Sequence, residues 1–415
     1  MADPVLSLQI DTPSASTGLG YLIIDDAVNG LIDSGLIAPD VIFSEKIKYA
    51  RSIHTQRGVT QFQGPTVRAD TGTLTSVLSN QNRAFDPTTS SDIVPGRAVK
   101  FQVTYNAITY DVFTGVIHAW NLAYPGQGVG GDATTTINAN DGLAQLTSLN
   151  IAENRPQELT GARINSVANL IGWPATLRAI NPGITVMPAS GQSISAASSM
   201  LLAADSDMGE LTVSAAGVLT FRDRDHIVMD ARSQTSQATY GTNPGELLFQ
   251  NVNVSFDDTQ LRNKITVIYN DAGAAATATD STSMSQYGEW YAEIQARIVD
   301  PAVAAGMAQF LVAQYSQPLV RIDSIVIKPF RDPVNLFPQV LGRQLGDRVT
   351  VVFQPPGGGP RISHECFVRG ISHDLTAVSS ARDWTTTFVM QDAFTWPHIF
   401  TIDSSVIDGT DVLWF

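Results

Sequence analysis

The stretch Pro95–Trp120, PGRAVKFQVTYNAITYDVFTGVIHAW, places Val99, Phe101, Val103 and Tyr105 at every second position. Lys100, Gln102 and Thr104 fall between them, the period-two pattern of a strand with one face in a core and one in water. The chain then turns and returns through Phe113, Gly115, Val116 and His118. Far downstream, Leu345–Leu375 reads LGDRVTVVFQPPGGGPRISHECFVRGISHDL and repeats this order. Gly96, Arg97 and Val99 answer to Gly346, Arg348 and Val349, and Gly115, Val116 and His118 to Gly370, Ile371 and His373, with Phe367 shortly before the second glycine. One supersecondary unit is therefore expected twice: a strand, a hairpin turn, and a return strand kinked at a glycine where a small barrel turns a corner. The wider spacing between glycines in the second copy is assigned to a longer hairpin loop on PPGGGP.

Working outward, Leu74–Leu78 reads as a strand, and WTTTFVM sets Trp384, Thr386, Phe388 and Met390 on one face. Between Leu78 and the quoted stretch lies NQNRAFDPTTSSDIVPGR, Asn80–Arg97. Its asparagines suit a left-handed turn. Phe85 is expected to plug one end of a barrel, Pro87 to hold Asp86 extended, and Asp86 to pair with Arg83. The segment reads as architecture; the alternative is an anion site on Arg83 and Arg97. Three helices are expected: one after Thr160 with Ile164, Val167, Ala168 and Ile171 inward, one from about Ser193 to Gly209, and one with Asp300 as N-cap, Pro301 at its first position and Pro318 closing it. YPGQGVGGDATTT, from Tyr124, and NDAGAAATATDSTSMSQ, from Asn270, read as loops, the second as a long exposed loop or partner-facing arm.

At 415 residues the chain exceeds one ordinary core. Charged residues make up only 15%, and 25 Lys and Arg stand against 39 Asp and Glu, a net charge of −14. That balance argues against gripping nucleic acid, which needs cations on the phosphates, but not against DNA sliding past an acidic wall. The single cysteine, Cys366, excludes an internal disulfide framework and fits assembly in a reducing cytoplasm. MADPVLSLQI carries neither the basic nor the apolar region of a secretory signal, and no run of 18 apolar residues is present. No phosphate-binding loop, nucleophile elbow, HExxH or CxxC occurs. His364 and Cys366, with His373 and Asp374 beyond, offer too few ligands at metal spacing for a zinc site. DSDMGE, Asp205–Glu210, reads as a helix end rather than a calcium loop. No catalytic residue, metal or cofactor is expected.

The motifs LSNQNRAFDP, VPGRAVKF and YDVFTGVIHAW together resemble the N-terminal barrel of minor tail proteins that form the tail hub, or baseplate hub, of long-tailed non-contractile phages, especially those of actinobacteria. The matching residues here are Asn80 or Asn82, Arg83, Phe85, Asp86, Pro87, Pro95, Gly96, Arg97, Phe113 and Gly115. GARINSVANLIGWP, GVLTFRDR and LRNKITVIYN are similar to the middle of that family, and LGDRVTVVF, CFVRGISHDL and DWTTTFVMQDA, with Gly346, Val349, Phe367, Gly370 and Trp384, to its second barrel. The resemblance spans most of Arg68–Ala393. It implies a mainly β, multi-domain fold with α+β insertions and two related small β-barrels. The expected divisions are an N-terminal segment at 1–44, a first barrel at 45–135, an α+β domain with two helices at 136–248, a second barrel with an inserted arm and helix at 249–395, and a tail at 396–415.

The resemblance further implies a structural virion protein of the tail tip, assembled in the host cytoplasm. It would be a homotrimer whose six modules match a sixfold tube, capping that tube, anchoring fibres or receptor-binding proteins and lining a DNA ejection channel. Implied partners are the tail tube or distal tail protein, other minor tail proteins and fibres, and the tape-measure protein. A carbohydrate-binding adhesin and a tail-associated wall hydrolase are the alternatives.

Overall fold

The computed structural model describes residues 3–11, 43–126, 132–376, 378 and 383–393. Alternating apolar residues build the first set of strands in chain order: β1 (Val5–Asp11), β2 (Phe43–Glu45), β3 (Ala50–Gly58), β4 (Asp70–Ser79), β5 (Ala98–Tyr105), β6 (Ile108–Ala123) and β7 (Thr134–Asn140). The spatial order is β5-β6-β7-β4-β3, antiparallel throughout, with β1 and then β2 added beyond β5. The inward face of β5 is the expected one: Val99, Phe101, Val103 and Tyr105 are all buried. Fully burying such a side chain is worth about 1.5–3 kcal/mol. The two-residue turn between β5 and β6 puts Asn106 and Ala107 at φ +48° and +61°, the conformation of a tight hairpin.

A middle α+β region follows. Its strands pair as β8 (Asn150–Arg155) with β12 (Ser190–Ser195), β9 (Glu158–Leu159) with β11 (Val186–Met187), and β10 (Arg178–Ile180) and β13 (Glu210–Val213) on either side of β14 (Leu219–Arg222). Helices α1 (Gly142–Ser148), α2 (Thr160–Leu170) and α3 (Ala196–Ser206) close a separate core around Leu146, Ile164, Met200 and Phe221. Ser195 caps α3, and the chain leaves the helix before Met208, whose φ is +52°, so DSDMGE is a helix end. Two short helices, α4 (Arg224–Met229) and α5 (Ala231–Gln234), lead back to the main sheet.

The second set is β15 (Thr239–Tyr240), β16 (Asn251–Ser255), β20 (Arg321–Ile327), β21 (Arg348–Phe353), β22 (Ile362–Leu375) and β23 (Trp384–Asp392). Its order is β21-β22-β23-β20-β16, again antiparallel, with β15 beyond β21. Between β16 and β20 a lobe is inserted: β17 (Lys264–Ile268), β18 (Ala275–Thr279), α6 (Ser281–Tyr287), β19 (Tyr291–Gln295) and α7 (Pro301–Tyr315), with a core of its own. Asp300 caps α7 as its sequence predicts, accepting a hydrogen bond from the Ala302 amide. The stretch from Asn270 is largely exposed as expected, but it is not a loop: it forms β18 and most of α6. Ala276 and Ala278 are small because they pack inward with the lobe core, and composition alone mistook this close approach for low complexity. The helix α8 (Pro333–Gly342) precedes β21 and inserts Phe337 between Tyr105 of the first set and Trp384 of the second.

The two sets are the same module. The residues of β5, β6 and β7 have counterparts 250 or 251 positions later: Ala98 faces Val116 as Arg348 faces Phe367, and Ile117 faces Ala139 as Val368 faces Met390. β4 and β20 correspond in the same way, Ser76 facing Ile137 as Ile325 faces Phe388. Gly96 and Gly346 occupy one structural position, at φ +96° and +86°, each donating its amide across to the return strand, to Ile117 and Val368.

Two pairings are corrected, however: that of Arg97 with Arg348, since Arg97 answers to Asp347 and Arg348 to Ala98, and that of Gly115 with Gly370. Val99 faces Gly115, whereas Val349 faces Cys366, so Cys366 is the counterpart of Gly115 and Ala119 that of Gly370. His118 and Arg369 are then the matched residues, each omitted from the ladder at a bulge, and His373 answers to Leu122. The second hairpin has a longer loop because its paired strands are shorter, not because the repeat is longer.

Both modules lie on one continuous hydrogen-bonded path, joined where the end of β22 pairs with β3, and their inward faces share one core. β1, which lies within the segment 1–44, pairs with β5, and β7 runs on to Asn140, past residue 135. The segment 396–415 lies outside the described residues.

Candidate assembly interface

At the seam between modules two backbones approach closely. Gly370 faces Gly58 across it, and a Cβ on either would stand within about 2.2 Å of a backbone oxygen, that of Val59 or of Arg369. Gly58 also has φ +76°, a conformation that side chains resist. Beside the glycines, the buried Arg369 guanidinium pairs with buried Glu210 of the middle region and hydrogen-bonds Gln391, which in turn bonds the Tyr315 hydroxyl of the inserted lobe. One bulged arginine thus ties together three parts of the chain. Arg57 of β3, which faces Ile371 across the seam, is buried too, and burial pulls its pKa down to about 10.

On the inner face His373 is fully buried between Thr386 and Trp384, and burial, with Arg57 and His54 nearby, pushes its pKa down to about 3. On the outer face His54 and Asp374 meet across the same seam at 2.6 Å. His364 pairs with Asp392, and Cys366 is buried with its thiol pushed up by burial. Among the described residues no three His, Cys, Asp or Glu side chains converge as metal ligands. No helix among them is long and apolar enough to cross a membrane.

The loop Asn80–Arg97 closes the other end of the first module. Phe85 is buried, edge-on to Tyr49 with ring centroids 5.1 Å apart and stacked on Trp120 at 6.2 Å. Buried Asn80 accepts the Phe85 amide hydrogen bond. Arg83, not an asparagine, takes the left-handed turn, at φ +59°. Its guanidinium is committed to Asp86 at 2.6 Å and to Thr88. Hydrogen bonds from Thr88, then Arg83 and Tyr124, hold the Asp86 carboxyl far below the usual range. Arg97 donates to the Asp92 carbonyl, so the two arginines do not converge on an anion. Asn82 is exposed; it accepts from the Ala84 amide and also hydrogen-bonds the Tyr49 hydroxyl, and Pro87, Pro95 and Gly96 are exposed too. Asn80, Arg83, Asp86, Leu122 and Tyr124 line an open cavity of about 620 Å³.

The remaining motif residues are packing positions: Phe113 lies against Gly115, Val349 and Trp384 are buried, and Phe367 lies under the Arg369 guanidinium. The motif residues therefore do not converge on one site: they lie at the loop end of the first module, on its hairpin, around the second hairpin and, for Gly370, at the seam. The buried Arg57, Glu210 and His54–Asp374 contacts at the seam were not found from sequence, and only the ladder reveals them.

No family model matches this chain, and no curated protein matches it in sequence. Solved structures do. Over 94% of this chain and 97% of the other, it superimposes on a tail protein from Neisseria meningitidis MC58 with a TM-score of 0.56 at 11% identity. Over 86% and 95% it superimposes on the 43 kDa tail protein of prophage MuSo2 from Shewanella oneidensis, with a TM-score of 0.54 at 15% identity. The chain has the mainly β, multi-domain fold of these tail proteins.

Proposed function

We propose that this chain is a structural protein of a phage-type tail tip, a hub that joins a tail tube to the parts that meet the host. The observation that carries this reading is the duplicated module. A ring of three chains presents six similar sheet modules, which lets a threefold assembly seat on a sixfold tube without a mismatch of contacts. The fold shared with a tail protein and a prophage tail protein supports the same reading, and the acidic balance suits a surface past which DNA slides. The chain works through its interfaces and not by catalysis: it caps the tube, anchors neighbouring tail proteins or fibres, and borders the ejection channel at the virion tail tip. Native mass spectrometry of the purified protein and of the isolated tail tip tests this. Three copies per particle are expected; a protein that is monomeric in both settings refutes it.

A further inference from the structure

The internal seam joins the distal half of β22, in the second module, to β3, in the first. Each of these elements has a counterpart in the other module, and both counterparts lack a strand partner among the described residues. The counterpart of distal β22 is distal β6: β5 accompanies β6 only as far as Val116, so from Ala119 to Ala123 β6 pairs with β7 alone. The counterpart of β3 is β16, because Ser52 and Ile53 face Val77 and Ser76 as Asn251 and Val252 face Val326 and Ile325. Among the described residues β16 pairs only with β20 and ends the sheet path.

We infer that β16 of one copy adds antiparallel to distal β6 of a second copy of this chain, repeating between chains the seam that each chain makes internally. The inference rests on the hub reading above and specifies its contact. Register follows from the internal seam. Asp374 faces His54 and Leu375 faces Ile53, so Ala123 faces Asn253, and Tyr124 faces Val252, of the neighbouring copy.

Three features of the two edges agree with burial by a partner strand. Exposed edges are ordinarily protected by charged residues or proline, yet neither Ala119–Tyr124 (AWNLAY) nor β16 (NVNVS) contains one. Apolar side chains stand exposed beside both: Val254 at 42% and Phe256 at 66% next to one, Val94 at 41% and Tyr124 at 54% next to the other. Leu345, which abuts Gly58 at the internal seam, has Pro95 as its counterpart, adjacent to exposed Val94. The two edges lie on different modules, so the contact is head-to-tail, the kind that builds the ring of the hub reading rather than a two-fold pair.

The test uses two separately purified full-length proteins, Ala123→Cys and Asn253→Cys, mixed under mild oxidation. Directly opposed residues of antiparallel strands lie at disulfide distance. The native Cys366 is buried and does not compete. A disulfide-linked dimer that forms only in the mixture, and not when Thr277→Cys replaces Asn253→Cys, is the expected result. A single-chain His54→Cys/Asp374→Cys protein, which must cross-link internally, calibrates the geometry. If that control cross-links and the mixture does not, while native mass still gives a multimer, this contact is refuted and the hub reading stands. A doubly substituted Ala123→Cys/Asn253→Cys protein that closes only on itself, as a monomer, also overturns the inference.

Discussion

Replacing Gly370 by alanine probes the seam with a single methyl group. The added Cβ would stand 2.1 Å from the Val59 carbonyl oxygen and 3.1 Å from the Val389 side chain. Carbon and carbonyl oxygen rest at about 3.3 Å or more, so two backbones must part by about 1 Å. Neither is free to move: Gly370 is paired with Gly58 on one side and Val389 on the other, and the Val59 amide donates to the Arg369 carbonyl at 2.9 Å. Overpacking of this kind costs about 1–3 kcal/mol, and weakening the Val59 bond adds about 1 kcal/mol. The expected loss is therefore about 2–4 kcal/mol, a large share of the roughly 5–15 kcal/mol that stabilises a typical domain. Gly96→Ala is the comparison, because φ is +96° there but nothing lies within 4 Å of the new atom. It should lose only the conformational cost of about 1–2 kcal/mol. Urea unfolding followed by tryptophan fluorescence, in which Trp384 of the same module is buried, reads both. If Gly370→Ala unfolds within 0.5 kcal/mol of the unaltered protein, or is milder than Gly96→Ala, the close approach is not what requires glycine.

Four further outcomes are expected. Phe85→Ala, which empties the site between Tyr49 and Trp120, should cost about 3–5 kcal/mol, measured in the same unfolding assay. Glu210→Gln leaves the buried Arg369 guanidinium without its counter-charge and should cost about 3–5 kcal/mol; an unchanged melting curve would contradict the arrangement. His373 stays neutral in the fold down to about pH 3 but takes up a proton in the unfolded chain near 6.5, so its contribution is present above pH 6.5 and is lost as pH falls from there toward 3. His373→Gln should flatten that part of the stability–pH curve. Cys366 should resist thiol reagents in the native protein and react on unfolding, as counted with a chromogenic disulfide.

What could be read from the sequence was local. The buried faces of β5 and β23 follow from alternation, and Asp300 and Pro301 announce α7 because capping involves only neighbours in the chain. Gly96 pairs with Gly346 because a glycine three residues before a buried valine keeps its spacing, whereas the basic residue does not: Arg97 answers to Asp347 and Arg348 to Ala98. Gly115 and Gly370 do not correspond: a glycine, a β-branched residue and a histidine can recur by coincidence four positions out of register. Only the cross-strand partners, Val99 with Gly115 and Val349 with Cys366, fix the alignment. The α8 helix escaped notice because Pro338 lies inside it. The buried Arg57 and Arg369 give no sign in a single sequence, because their burial depends on β3 and β22 meeting from opposite ends of the chain.

The 256–320 lobe interrupts only the second module, between β16 and β20; the first module passes from β3 to β4 with no such addition. Wherever copies of the two modules alternate, this lobe marks every other position. A neighbour that grips the lobe will therefore count half as many sites as one that grips the sheets, and the same polypeptide can set two different stoichiometries for the proteins around it.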